Sequence, residues 1–377
     1  MTRSDGSHGS APLVLLAAGG TGGHLFPAEA LAAALASRGL QVDLATDKRA
    51  ARYGNRFPAR HVHIIPSETV RGRDPLSLAR STAILSFGIL RAYSLLGKLW
   101  PAAVVGFGGY PTIPPVMAAT WRRIPTLIHE QNAVMGRANR LLARRVSAIA
   151  TSFSGVVDAD AKLARKATHT GNPVRPAVLA AATTSYGAPE PAGSLRLLVF
   201  GGSQGAKVMA DIVPAAIERL EPHLQMRLAV VQQARDEDLA RVRAAYAGLQ
   251  VKAEVAPFFA DLPARIAAAH LVISRSGAST VAELAAIGRP AVLVPLPHAL
   301  DQDQAANAAV LERAGAALRL TQAEFTPDRV AAEFTQLATA PEKLVAMAEA
   351  ARSQGSTGAA ERLADLVIKT MQGEQAS

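Results

Sequence analysis

Two glycine-rich turns, far apart in one chain, limit what it can fold into. The first, Ala18-Gly19-Gly20-Thr21-Gly22-Gly23-His24, follows the apolar run Leu13–Leu16 and opens a helical pattern with Leu31, Ala34 and Leu35 on one face. The second, Phe200-Gly201-Gly202-Ser203-Gln204-Gly205-Ala206-Lys207, repeats the device far downstream. Glycines at a strand-to-helix turn let backbone N–H groups approach a ligand without Cβ atoms in the way, and the helix start behind them favours anionic oxygen. Two such turns imply two facing nucleotide-type domains with a cleft between them.

The rest of the pattern agrees. Strand candidates at 13–17, 42–46, 61–65, 102–107, 125–129 and 148–151 alternate with helical stretches, and a second series runs through 195–200, 227–231, 251–255, 271–274, 291–295 and 317–320. Alternation of this kind means βαβ units and doubly wound parallel sheets, with ligands at the carboxyl ends of the strands. Between the series lies a stretch holding Pro173, Pro176, Pro189 and Pro191, which reads as a connector. The expected division is a disordered tail at 1–12, a first domain at 13–172, a linker at 173–194, a second domain at 195–345, and a C-terminal helix at 346–377 that packs back on the first domain.

Composition narrows the chemistry. The 377 residues include no cysteine, which excludes disulfides, thiolate catalysis and cysteine-ligated metal sites. A formal charge of +10 implies an acidic partner: nucleotide, nucleic acid or anionic lipid. No aromatic–basic nucleic-acid motif supports the second of these. No signal peptide is visible, and the longest uncharged run, Leu99–Trp121, is interrupted by four prolines and three glycines, so it reads as strand, loop and helix start. The protein is expected to be soluble or peripheral.

Neither glycine turn matches a common nucleotide fingerprint. The first lacks the third glycine of a dinucleotide site, and Lys207 is not followed by the Ser or Thr of a P-loop. What remains is a diphosphate cradle in which Ser203 offers a hydroxyl. In Ser274-Arg275-Ser276-Gly277-Ala278-Ser279-Thr280-Val281-Ala282-Glu283, the carboxylate reads either as a ribose ligand or as half of a capping box with Ser279 as N-cap. The run His298–Gln304 with Asn307, and Ile128-His129-Glu130-Gln131-Asn132, place polar side chains after strands. Phe107-Gly108-Gly109-Tyr110-Pro111 is a third glycine turn on the same edge, and Arg175 sits at the domain junction. The imidazole of His24 either takes a proton or holds its loop. Asp158-Ala159-Asp160 and Asp301-Gln302-Asp303 do not follow strands as a carboxylate metal site favours, so no tightly held metal is expected.

The segment Arg71–Trp100 mixes many apolar residues with Arg71, Arg73, Arg80, Arg91 and Lys98, and reads as a core helix or as a membrane-facing one. Arg137, Arg140, Arg144 and Arg145 lie nearby in sequence on a second short helix without an acidic neighbour, which favours an anionic membrane.

Taken together, AGGTGGHLFP, GFGGYP, HEQNAVMG, GNPVR, FGGSQGA, SRSGASTVAEL and the Gln304…Asn307-Ala308 cluster resemble the MurG family from Leu13 to about Arg352. The resemblance implies a GT-B fold: two Rossmann-like doubly wound α/β domains facing across a cleft. It implies an inverting N-acetylglucosaminyltransferase, peripheral on the cytoplasmic face of the plasma membrane. Such an enzyme moves GlcNAc from UDP-GlcNAc to the C4 hydroxyl of MurNAc in undecaprenyl-pyrophosphoryl-MurNAc-pentapeptide (lipid I), making lipid II for peptidoglycan. It requires no cofactor, and its partners would be UDP-GlcNAc, lipid I, an anionic membrane surface and other cell-wall synthesis proteins.

Position by position, the resemblance puts Thr21, Gly22, Gly23, Asn132, Arg175, Ser203, Phe259, Ala278, Ser279, Thr280, Val281, Ala282, Glu283 and Gln304 at UDP-GlcNAc. A ring at Phe259 departs from the aliphatic residue usual there, and Asp303 departs from the His or Gln of some relatives. His24 and Glu130 are the candidate bases, with Tyr110, His129 and Asn139 on the acceptor side. The rival readings are an epimerase or hydrolase of UDP-GlcNAc on the same fold, and a non-catalytic nucleotide binder.

Overall fold

Two parallel sheets form because their strands are apolar on both faces, which only a sheet covered on both sides can bury. A computed structural model describes residues 11–19, 22–48, 57–68, 75–190, 192–202, 205–297 and 302–373. The first sheet comprises β1 (Leu13–Ala17), β2 (Gln41–Thr46), β3 (Val62–Ile64), β4 (Ala103–Gly106), β5 (Thr126–Glu130), β6 (Ala148–Thr151) and β7 (Ala167–His169), in the order β3-β2-β1-β4-β5-β6-β7. The second comprises β8 (Leu195–Phe200), β9 (Leu228–Gln233), β10 (Lys252–Ala256), β11 (Leu271–Ser274), β12 (Ala291–Leu293) and β13 (Ala317–Arg319), in the order β10-β9-β8-β11-β12-β13. Strand order reverses between β1 and β4 and again between β8 and β11, and loops at such switch points form binding crevices.

Alternation along β1 divides the first core into two layers. Val14 and Leu16 face the Gly22–Ser37 helix, where Leu31 and Leu35 meet them, while Leu15 and Ala17 face the opposite layer with Leu96, Val116 and Leu142. The last helix, Ala359–Met371, belongs to the first of these layers through Leu363, Ala364, Leu366 and Val367, all buried. Truncating one such leucine to alanine costs roughly 2–5 kcal/mol. Arg38 reaches Glu361 and Asp365 of this helix at 2.6 Å each, but exposed pairs of this kind add little. The proline-rich stretch read as a connector carries a short helix, Pro176–Ala182, whose first residue is a proline. Proline suits that position because its missing N–H would be unsatisfied there anyway.

The Pro75–Leu99 helix lies along the Ile113–Trp121 helix with Ala92 and Leu96 inside. Its stretch Ala79–Leu99 is long and apolar enough to cross a membrane by length and composition, yet only 17% of it is buried in the fold. It is therefore not a core helix. Phe87, Leu90 and Trp100 are 56%, 65% and 69% exposed, and Trp121 and Leu141 of neighbouring helices are exposed as well.

Candidate active site

Loops leaving the carboxyl ends of β1, β4 and β5 converge on His24, which stands half-buried in the first turn of the Gly22–Ser37 helix. The β4 loop passes against its ring. Gly108 and Gly109 adopt φ of +82° and +73°, and a Cβ on either would lie 3.3 Å from the imidazole. Glycine alone tolerates both that backbone and that approach. Thr112 Oγ1 lies 2.6 Å from the Gly108 carbonyl and 3.1 Å from that of Ala17, which ties the loop to β1.

β5 ends in Glu130, and the following turn is wound around its carboxylate. Oε1 accepts from the Asn132 backbone N–H at 3.0 Å and from Asn132 Nδ2 at 3.2 Å. Oε2 accepts from the Gly136 N–H at 3.0 Å and from Asn139 Nδ2 at 2.8 Å. A carboxylate has about four lone-pair sites, and here four donors fill them. Glu130 is a buried anion that shapes a loop.

His129, fully buried one residue earlier, faces the Gly171 carbonyl with Nε2 at 3.0 Å and Gln131 Nε2 with Nδ1 at 2.9 Å. Burial pushes its imidazole down to about 4, against the pull of the Gly171 carbonyl, and neighbouring His24 lowers it further. His129 is thus neutral. Gln131 also donates to the His129 carbonyl at 2.9 Å, and its Oε1 lies 3.1 Å from His24 Nδ1. His24 Nε2 has no hydrogen-bond partner among the described residues.

In the second domain the Ala278–Ile287 helix follows β11. Its N-cap is Gly277, so Ser279 lies inside the first turn and the capping-box reading fails. Ser279 Oγ is buried without a hydrogen-bond partner among the described residues. One turn on, Glu283 is buried and held 3.0 Å from Arg175. Burial raises its carboxyl above the ordinary value, while the Arg175 guanidinium pulls it back. That guanidinium also stacks 3.8 Å above the Phe26 ring, so Arg175 bridges the first helix of one domain and the β11 helix of the other. Asn307, from the Asp303–Arg313 helix, makes a second bridge: Oδ1 accepts from the Ala133 N–H at 2.8 Å and Nδ2 donates to Asn132 Oδ1 at 3.0 Å. Neither Phe26 nor Gln131 was singled out from sequence, and Asn307 only as one of a polar run.

The remaining expected residues fall as follows. Gly22 and Gly23 open the first helix, and Tyr110 is half-buried at the start of the 3-10 turn Tyr110–Thr112. Ala278 and Val281 are buried, with Thr280 and Ala282 half-buried beside them. Gln304 takes the Leu296 N–H on Oε1 at 3.0 Å, and its carbonyl accepts from Ser276 Oγ at 2.8 Å. Phe259 is buried beneath the Arg265 guanidinium, 4.3 Å from its ring centre. Asp303 is the first residue of its helix, a favourable place for any carboxylate. Thr21, Ser203 and 298–301 lie outside the described residues. Asp160 caps the Ala161–Ala164 helix and lies 3.3 Å from Arg144, so that arginine does have an acidic neighbour. Among the described residues no group of three or more His, Asp or Glu is placed to hold a metal ion.

Both halves of the chain match glycosyltransferase family 28 domains, the N-terminal domain over residues 14–151 and the C-terminal domain over 196–363. With its two parallel sheets the fold is that of a GT-B glycosyltransferase. A curated relative from Rhodopseudomonas palustris, a UDP-N-acetylglucosamine--N-acetylmuramyl-(pentapeptide) pyrophosphoryl-undecaprenol N-acetylglucosamine transferase, is 65% identical over 357 residues, spanning 95% of this chain and 98% of its own. A crystal structure of MurG from Acinetobacter baumannii matches with a TM-score of 0.76 at 31% identity, over 95% of this chain and 99% of that one. The chain belongs to the MurG family of N-acetylglucosaminyltransferases. A putative UDP-N-acetylglucosamine 2-epimerase from Listeria monocytogenes shares the fold alone, with a TM-score of 0.69 at 14% identity over 97% of this chain and 100% of its own.

Proposed function

We propose that the chain transfers GlcNAc from UDP-GlcNAc to the C4 hydroxyl of MurNAc in lipid I, with inversion, and so makes lipid II. The observation that carries this reading is identity of 65% with a transferase so named, along nearly the whole of both chains. The epimerase likeness stops at the fold.

The geometry supports a division of labour. His24 Nε2 accepts the acceptor proton as that oxygen attacks C1 and the bond from C1 to the UDP oxygen breaks; UDP leaves as a diphosphate anion. Glu130 and Asn139 hold the β5 loop, and His129 and Tyr110 line the acceptor side. On the donor side, Glu283 accepts from the ribose hydroxyls, and Phe259 sits beside uracil. Arg175, Ser203 and the helix starts at Gly22, Ala278 and Lys207 offset the diphosphate charge. Thr21, Gly23, Asn132, Ser279, Thr280, Val281, Ala282 and Gln304 complete the UDP-GlcNAc site. The domain division follows that stated from sequence, except that 346–377 is not one helix: the Pro341–Ser353 helix packs with the second domain and only Ala359–Met371 returns to the first.

The exposed apolar face of the Pro75–Leu99 helix, with Trp121, Leu141, Arg80, Arg91 and Arg140 around it, rests on the cytoplasmic face of an anionic membrane in this reading. Lipid I then reaches the cleft from the bilayer. Incubation with UDP-GlcNAc, with and without a lipid I analogue, tests the reading. UDP release only with acceptor is the expected result, and epimerisation or UDP release without acceptor overturns it.

A further inference from the structure

Two backbone carbonyls determine the direction of every hydrogen bond around the candidate base. A carbonyl oxygen only accepts, so the group 2.9 Å from the His129 carbonyl must be the Gln131 NH₂. The other end of that amide, Oε1, therefore faces His24 Nδ1 across 3.1 Å and only accepts as well. Nδ1 must then carry a hydrogen. At the far end the Gly171 carbonyl, 3.0 Å from His129 Nε2, requires a hydrogen on that nitrogen. The neutral His129 is left with a lone pair on Nδ1, which accepts the second Gln131 N–H at 2.9 Å. Each donor meets an acceptor, and neither the flipped amide nor the other neutral tautomer of either ring avoids two acceptors in contact.

We propose that Gln131 is the positioning residue for the transfer. It holds the His24 imidazole as the Nδ1–H tautomer and so presents the Nε2 lone pair to the acceptor hydroxyl. In the reaction Nε2 gains the proton, the Nδ1–H stays on Oε1, and Gln131 remains neutral throughout. Gly108 and Gly109 of the β4 loop line the ring so closely that a Cβ on either would lie 3.3 Å from it. Glu130 takes no part in this relay, since both its oxygens are occupied by Asn132, Gly136 and Asn139. The relay ends at Gly171, where Ser356 and Ala359 of the returning C-terminal segment pack against the chain. The base is thereby tied to the junction between the domains. The inference rests on His24 as base, but its structural half can be measured without turnover.

The test uses full-length protein with ¹⁵N-labelled histidine, wild type and with Gln131→Met or Gln131→Glu. Side-chain ¹⁵N shifts read which nitrogen of His24 and of His129 carries hydrogen. The expected wild-type pattern is hydrogen on Nδ1 of His24 and on Nε2 of His129. Gln131→Met should mix the His24 tautomers and lower kcat roughly 10–100-fold, a loss in the range of small misplacements of reacting groups. KM for UDP-GlcNAc should stay within about twofold, because Gln131 is not among the donor-site residues. Gln131→Glu restores an acceptor for the His24 Nδ1–H but sets its other oxygen against the His129 carbonyl, so the Nδ1–H signal should return although the variant is less stable. Hydrogen on Nε2 and none on Nδ1 of wild-type His24 overturns the proposal even if neither variant folds. So does an unchanged His24 tautomer in Gln131→Met, or a loss confined to KM. If instead His24→Ala keeps its kcat, the base assignment fails while the measured tautomer still decides the relay.

Discussion

Replacing Glu283 separates its role toward the nucleotide from its role in the fold. In the free protein its carboxylate is held 3.0 Å from Arg175, with side-chain exposures of 7% and 21%. Removing one partner of a fully buried pair costs about 3–5 kcal/mol. Arg175 keeps some contact with water and stacks on Phe26, so Glu283→Ala should lose nearer 1–2 kcal/mol of stability, about what an unsatisfied buried group costs. The effect on binding is separate. A hydrogen bond to a charged group is worth about 1.5–3 kcal/mol, which at about 1.4 kcal/mol per decade is a 10- to 150-fold rise in KM for UDP-GlcNAc. Glu283→Gln keeps the shape and one neutral acceptor, so its KM should rise about tenfold with little loss of stability. Initial rates at saturating acceptor, beside thermal melts of each variant, give both numbers. A lowered Tm with unchanged KM would refute the ribose assignment and leave Glu283 as the partner of Arg175 alone.

Leu90→Ser and Phe87→Ser should each weaken vesicle binding about tenfold or more, since a buried Leu or Phe side chain contributes about 1.5–3 kcal/mol. High salt should weaken it further on anionic vesicles by about 1 kcal/mol for each basic residue near the surface; binding that ignores salt and these substitutions removes the membrane face. Stability should fall on acidification through His129. Its folded-state value near 4 lies below the unfolded value near 6.5, so the unfolded chain binds the proton first and stability is lost as pH falls through that window. The loss is about 2 kcal/mol by pH 5, and chemical melts of wild type and His129→Gln should differ in slope there. Gly171→Ala places a Cβ 2.2 Å from Ser356 Oγ in a backbone with φ of +80°, so it should lower Tm; a neutral effect would contradict the packing at this junction.

Much of this was legible because apolar strands and glycine turns carry local signals. Most strand ends were placed within two residues. β7 was not seen, since Ala167-Thr168-His169 is a short edge strand after Arg165 and Lys166 and lacks any apolar run. The proline-containing stretch reads from sequence as a connector, whereas Pro176 starts a helix within it. Within the site, Glu130 was visible as a polar residue at a strand end, and His24 and Glu283 as polar residues in the helices that follow glycine-containing turns. Their partners were not: Arg175 meets Glu283 across 108 positions, and Asn307 meets Asn132 across 175. No pattern of spacing encodes such pairings. Gln131 was hidden for another reason. In sequence it is one of four consecutive polar residues, and only the His129 carbonyl beside it in space, with the Gly171 carbonyl that sets the His129 ring, gives its amide a direction.

The pH profile of kcat/KM in His24→Ala and Glu130→Gln proteins that still bind UDP-GlcNAc tests the mechanism most directly. If His24 is the base, His24→Ala loses the acidic limb and roughly 10²–10⁴ in kcat, the usual contribution of general base catalysis. Glu130→Gln, which keeps the side-chain shape but weakens the turn after β5, should retain that limb and lose stability. An acidic limb that persists in His24→Ala and vanishes in Glu130→Gln would contradict the account, because the proton would then pass to a carboxylate whose lone pairs are all engaged in this structure.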